Sequence, residues 1–309
     1  MQITGTFLDE ISHDIPHQNW GPKEWDADFA HMKKIGIDTV VMIRCGYHQF
    51  LTYPSTYLIE KHHRFAPVTD MVELFLKLAE KYGMTFYFGT YDSGKYWETG
   101  DMRHEVETNL HVIEEVYANY GHYKSFGGWY LSLELSRKVK GAAESIAKLG
   151  DHCKAVSGGL PVLISPWIDG KKAIAATEGT LVKDSGISLK QHEKEWDEIF
   201  DGIKKSVDIV AFQDGHVGYN ELEGYLALNK TLADKYGLQS WTNTESFDRD
   251  MPIKFFPIKF EKLILKLEAA KRAGCEKAIT FEFSHFMSPQ SAYLQAGNLY
   301  NRYLEYFKI

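Results

Sequence analysis

Eight short runs of consecutive apolar residues recur along the chain, each followed by a stretch whose apolar positions fall at helical spacing. The runs are Gln2–Leu8, Thr39–Ile43, Thr85–Gly89, Gly127–Leu133, Pro161–Ser165, Asp208–Phe212, Gln239–Thr242 and Lys277–Phe281. Continuous hydrophobicity, as opposed to alternation, predicts strands buried on both faces, as in a parallel sheet covered by helices. The 3.6-residue period predicts helices over Trp25–Ile35, Asp70–Tyr82, Asp101–Tyr120, Gly141–Val156, Leu189–Ser206, Glu221–Tyr236, Phe260–Ala273 and Ala292–Phe307. Gly36, Gly83, Gly121, Gly237 and Gly274 follow such stretches directly, where a left-handed residue can close the last carbonyls. Asp70 and Ser188 stand where a side-chain oxygen can accept from the first free helical amides. Eight strand-then-helix units in 309 residues predict an α/β chain folded as a (β/α)8 TIM barrel, with residues 1–309 forming a single domain.

The connections are unequal. Helix-to-strand links such as Gly36-Ile37-Asp38 and Gly83-Met84 are tight, whereas the strand-to-helix links Ile11–Glu24, Tyr47–Thr69, Gly170–Ile187 and Phe247–Lys259 are long. Long connections in a compact domain carry binding surface, so the rim at the C-terminal ends of the strands is where chemistry is expected. That rim presents Asp9, Glu10, Arg44, Tyr91, Asp92, Glu134, Trp167, Asp169, Gln213, Asp214, Glu245 and Glu282. Aromatic residues crowd the same loops: Trp20, Tyr47, Phe50, Tyr53, Tyr57, Tyr96 and Trp97, with Trp129, Trp167 and Trp241 in or near strands. Some will anchor loops. Others can serve as platforms for the apolar face of a sugar ring, whose hydroxyls need the polar partners the rim supplies.

Charge and composition narrow the field. A formal charge of −7 argues against a nucleic-acid or anionic-membrane partner, and no stretch reaches the roughly 20 apolar residues that span a bilayer. Met1 runs into the first strand without a signal-like segment, and Cys45, Cys153 and Cys275 are odd in number and widely spaced. Both features predict a cytoplasmic protein with reduced, mostly buried thiols. Oligomeric state is not encoded in these patterns. The chain has no G-x-x-x-x-G-K-[ST] loop and no strand-to-helix glycine-rich turn, so no nucleotide cofactor is expected.

Glu134 closes the fourth apolar run and Glu245 the seventh. A carboxyl closing a buried strand is partly desolvated, which raises its pKa toward the working range. Two such groups across a pocket are what glycoside cleavage requires, one to protonate the leaving oxygen and one to attack the anomeric carbon. Of the remaining rim groups, Asp9, Asp92 and Asp214 are candidates for binding hydroxyls or supporting those that do. Tyr91, Gln213, His216, Asn243 and His285 are candidate substrate contacts, and Glu282 is a competitor for the catalytic role. No metal or other cofactor is expected. An alternative is a divalent-metal sugar isomerase or epimerase built on Asp169, Asp214, Glu245, Glu282 and His285, and another is a carbohydrate-binding barrel without turnover.

The placement of the two glutamates resembles the large superfamily of retaining glycoside hydrolases on this barrel. The resemblance implies Glu134 as acid/base, Glu245 as nucleophile and Arg44 as the cation that keeps Glu245 ionised. Leu133 departs from the asparagine that this superfamily usually carries before its acid/base. A resemblance over nearly the whole chain is carried by Ile3-Thr4-Gly5-Thr6-Phe7, Gly127-Gly128-Trp129-Tyr130-Leu131-Ser132-x-Glu134 and Trp241-x-Asn243-x-Glu245. These motifs are similar to a bacterial family catalogued as a domain of unknown function, which implies the same barrel and a glycosidase-type site.

Overall fold

Every predicted apolar run overlaps a strand of one closed, all-parallel barrel, to within one residue at the ends where a strand extends past its run. The structure, a computed structural model, describes residues 1–95, 100–133, 141–170, 172–175, 181–183, 186–249 and 255–309. The barrel strands are β1 (Ile3–Leu8), β2 (Thr39–Met42), β3 (Thr85–Gly89) and β4 (Phe126–Tyr130). They continue as β5 (Val162–Ile164), β6 (Ile209–Gln213), β7 (Gln239–Asn243) and β8 (Lys277–Thr280), and β8 pairs with β1 to close the ring. The helices that follow them are α1 (Pro22–Lys34), α2 (Met71–Tyr82), α3 (Arg103–Tyr120) and α4 (Ala142–Ser157). The second half has α5 (Leu189–Ile203), α6 (Leu222–Tyr236), α7 (Phe260–Arg272) and α8 (Leu294–Phe307).

Side-chain alternation divides the core in two. Phe7, Val41, Tyr87, Tyr130, Leu163, Ala211, Trp241 and Ile279 fill the barrel interior, as a packed barrel requires. Their neighbours Leu8, Val40, Phe86, Trp129, Val162, Val210 and Ala278 face outward and pack under the helices. Asp70 and Ser188 cap their helices as the sequence indicates, accepting from Glu73 N at 2.9 Å and Gln191 N at 3.3 Å. Gly121 does not behave as expected: its φ is −61°, so it extends α3 and does not reverse it. Its lack of a Cβ serves space instead, since one would sit 2.6 Å from Tyr117 O.

The elaborated rim is the predicted one. Residues 46–47, 50–51 and 91–92 form a small sheet above β2 and β3. Helix Thr56–His62 follows it, and strands Phe247–Asp248 and Phe256–Pro257 pair above β7. β4 leaves the ladder at Tyr130, three residues before its apolar run ends. Ser132 then takes over from the ladder, its Oγ donating to Thr90 O at 2.6 Å and its N donating to Thr90 Oγ1 at 3.0 Å. Leu133, in the position where the superfamily carries asparagine, is buried in the outer core.

Candidate active site

A cavity of about 420 Å³ opens at the C-terminal end of the barrel, the size of a small-ligand site. Strand parity builds it. Trp241, Asn243 and Glu245 share the inward face of β7 and its extension, so the alternation that buries Trp241 delivers Glu245 to the cavity wall. Phe7, Tyr130 and Phe281 arrive from β1, β4 and the end of β8 in the same way, and Trp167, Asp169, Gln213 and His216 complete the wall from the C-terminal ends of β5 and β6. The mix of ring faces and polar groups is the one anticipated for a sugar.

Glu245 is 2% exposed and held from several directions. Arg249 grips it through both oxygens, Nε to Oε2 at 2.9 Å and Nη2 to Oε1 at 2.8 Å, the strong bidentate geometry of guanidinium and carboxylate. The Arg249 guanidinium lies 5.0 Å from the Phe247 ring centre and 5.6 Å from that of Phe255, which fixes its plane. Behind the carboxylate, Lys266 of α7 reaches Asp214 Oδ1 at 2.8 Å and Glu245 O at 3.1 Å, while Asp214 Oδ1 also accepts Glu245 N at 3.1 Å. Burial alone would push the Glu245 carboxyl up, but Arg249, aided by Lys266 and His216, outweighs it and holds the group at about 2. Burial pushes Asp214 up against the pull of Lys266, and the Glu245 charge adds to that push. Gly215 lies against the carboxylate: a Cβ there would be 2.0 Å from Glu245 Oε2, so any side chain would displace it.

The cation beside Glu245 is therefore Arg249, four residues on, and not the expected Arg44. Arg44 lines the same cavity but pairs with Asp92 Oδ2 at 3.1 Å, and its guanidinium lies 4.9 Å from the Tyr47 ring centre. Arg249 sits in a loop without helical or strand period, and nothing in the sequence marked it. Glu134 lies outside the described residues, as do Tyr96 and Trp97.

The other candidates sort by which face of a strand or turn they occupy. Trp167, Gln213, His216 and Asn243 line the cavity. Trp129 does not: it faces outward, fully buried against Phe88 and Phe126, with Nε1 donating to Ser157 Oγ at 3.1 Å. Trp241 lies deeper, in the packed barrel interior. Tyr91 is buried in the outer core, its hydroxyl donating to His48 O at 2.6 Å and accepting from Arg64 at 2.7 Å, so it too is removed from the substrate set. Asp9 Oδ1 accepts Ile11 N and Ser12 N and closes a turn. Asp92 orients Arg44, and Asp214 supports the Glu245 backbone. Glu282 accepts Ser284 N at 2.9 Å and His285 N at 2.6 Å and pairs with His285 Nδ1, while His285 Nε2 faces Pro16 O at 2.8 Å. Both nitrogens of His285 thus face acceptors. Burial pushes its pKa down, but Glu282, with Glu10 and Asp9 behind it, overrides that and raises it to about 9. That pair is spent internally, and Glu282 is not on the cavity wall. Cys45, Cys153 and Cys275 are all buried, and burial pushes the Cys45 thiol well above its usual range, which removes it as a nucleophile.

Burial also pushes the carboxyls of Glu10, Asp28 and Glu105 up to about 7. Each holds a proton in the folded state that the unfolded chain releases near pH 4, so its contribution to stability is present at low pH and lost as pH rises through 7. His285 contributes fully below its unfolded value of 6.5 and loses that contribution as pH rises through about 9. The four act in one direction. The melting temperature should fall by roughly 5 °C or more between pH 5 and pH 9. Scanning calorimetry across that range checks it, and a flat or rising profile would refute the assignment.

The chain matches the family described as Domain of unknown function (DUF4434) over residues 3–293. It is a DUF4434 protein. The DUF4434 chain is 65% identical to a Bacteroides thetaiotaomicron protein whose crystal structure is described as "a putative alpha-L-fucosidase". The match covers 100% of this chain and 94% of that one, with a TM-score of 0.95. It is also similar to an endo-1,4-β-D-mannanase from Thermotoga petrophila, at 12% identity over 91% and 88% of the two chains and a TM-score of 0.57. A GH2 β-galacturonidase from Eisenbergiella tayi aligns at 14% identity over 91% of this chain and 43% of that one, with a TM-score of 0.56. The last two likenesses concern the barrel alone. No curated protein sequence matches the chain, and among the described residues no helix is long and apolar enough to cross a membrane.

Proposed function

We propose that the protein is a retaining glycoside hydrolase in which Glu245 is the nucleophile and Glu134 the acid/base. The observation that carries this reading is Glu245 itself: a carboxylate kept ionised by Arg249 on the wall of a sugar-sized cavity at the C-terminal ends of the strands. An ionised, buried, oriented carboxylate is what attack on an anomeric carbon needs. The Glu134 carboxylic acid gives its proton to the departing glycosidic oxygen as one Glu245 oxygen bonds to the anomeric carbon. Glu134, now a carboxylate, takes a proton from water, whose oxygen displaces Glu245 and releases the sugar. Retention requires the two carboxyls to stand about 5–5.5 Å apart. Asn243 donates to Ser165 Oγ at 3.1 Å, and its buried Oδ1 has no hydrogen-bond partner among the described residues, so it is available to a sugar hydroxyl.

The metal-dependent alternative loses support from side-chain placement. Of its five proposed ligands, Asp214 is committed to Lys266, and Glu282 and His285 to each other. A screen of aryl glycosides with and without EDTA separates the classes, and α-L-fucosides come first because of the name carried by the 65% identical relative. Hydrolysis indifferent to chelator is expected. Activity lost to EDTA and restored by Mn²⁺ would favour the isomerase class. Saturable sugar binding without turnover, surviving both Glu134→Gln and Glu245→Gln, would favour a binding barrel. In a hydrolase, Glu134→Ala should cost alkyl glycosides about 10²–10⁴-fold while largely sparing activated aryl glycosides, because only poor leaving groups need the proton. Equal losses on both would remove Glu134 from the acid role.

A further inference from the structure

Beside the catalytic cavity lies a second hollow of about 510 Å³ with a different chemical character. Its walls are apolar and aromatic, formed chiefly by Trp20, Tyr47, Phe50, Leu51, Val68 and Met71. Phe50 is 63% exposed and Val68 fully so, an apolar rim on an otherwise charged surface. The two hollows adjoin along one loop. Along the loop after β1, Ser12 and Asp14 line the catalytic cavity while Ile11 and His13 line the second hollow. The His13 ring stacks on Tyr47 at 5.3 Å with 9° between planes, and Tyr47 carries Arg44 of the catalytic cavity at 4.9 Å.

The geometry points to this hollow as the site for an apolar, ring-bearing aglycone joined to a sugar seated against Glu245. This rests on the hydrolase reading and specifies its substrate class: glycosides of aromatic or similarly hydrophobic alcohols. Polar groups are present too, among them His17, Asn19, His48 and Thr69, but apolar surface makes up most of the wall, so a second sugar would set hydroxyls against Ile11, Leu51, Pro67, Val68 and Met71.

Calorimetric titration with 2-naphthylmethanol tests the hollow without any turnover, using the wild-type chain and a Phe50→Ser/Val68→Ser variant. Both substituted side chains are exposed, so the fold should tolerate the changes. The variant should bind the alcohol about tenfold more weakly, the loss expected when a large apolar contact is removed. The second arm compares the 2-naphthylmethyl and methyl glycosides of whichever sugar the screen identifies. Both aglycones leave as primary alcohols after protonation by Glu134, which limits the difference in leaving-group acidity. Wild type should prefer the naphthylmethyl glycoside in kcat/KM, and the variant should lose about tenfold of that preference. Equal binding by the two proteins, no binding by either, or no preference between the glycosides overturns the proposal. If no glycoside is cleaved, the hydrolase reading falls on that result, and the titration still decides whether the hollow takes an aryl group.

Discussion

Replacing Glu245 with alanine should abolish glycoside turnover, with a loss on the order of 10⁴-fold or more in kcat, as for removal of other covalent nucleophiles. The size follows from the mechanism. In the proposed mechanism no glycosyl-enzyme forms without Glu245. The substitution also leaves a small space on the cavity side of Gly215, whose missing Cβ already makes room for the carboxylate. Azide should enter that space, attack the anomeric carbon and restore turnover. The product's configuration then reports the stereochemistry, since azide replaces the first displacement only. For a retaining enzyme the glycosyl azide carries the anomeric configuration opposite to the substrate. Circular dichroism before and after substitution guards against the trivial explanation of a lost fold. If Glu245→Ala keeps a tenth of wild-type activity, Glu245 is not the nucleophile, whatever its place in the cavity.

The barrel was legible because its signal is redundant. Each strand announces itself by apolar continuity and each helix by period, and closure then follows from having eight such units. The rim was legible in outline, from the contrast between short and long connections. What failed was direction. Trp129 and Tyr130 are adjacent, and sequence alone does not say which faces the lumen. Trp129, at the motif's centre, is a candidate sugar platform by sequence, whereas strand parity gives the cavity Tyr130 and sends Trp129 under the helices. The spacing from Trp241 through Asn243 to Glu245 carried that parity information, and it placed β7 correctly. Tyr91 failed for another reason: it belongs to a rim strand whose pairing with Gly46 depends on a loop from elsewhere in the chain. Arg249 and Lys266 were invisible on both counts. One lies in an aperiodic loop, and the other is a lysine on a helix, normally a surface residue, that here reaches 2.8 Å from a buried aspartate.

Arg249→Met should produce the second-largest effect, and its diagnostic is a pH profile. In wild type the guanidinium holds Glu245 at about 2, so ionisation of the nucleophile should leave no acid limb at ordinary working pH. Methionine keeps the bulk and removes the charge, while the burial that favours the protonated acid remains. The Glu245 pKa must then rise, by about one to three pH units for loss of an adjacent opposite charge. The acid limb of kcat/KM should move up with it, because protonated Glu245 cannot attack. Turnover at the optimum should fall about 10²-fold, since the two-point grip that orients the carboxylate is gone. Stability should fall too, toward the lower end of the roughly 3–5 kcal/mol seen when a buried pair loses one partner, because Arg249 is 23% exposed. Arg249→Lys separates charge from geometry. A single ammonium keeps the acid limb low but cannot reproduce the fork, so rate should drop while the profile stays near wild type. An acid limb that is unmoved in Arg249→Met would mean that Lys266 and His216 suffice to ionise Glu245, and Arg249 would then be reduced to orienting it.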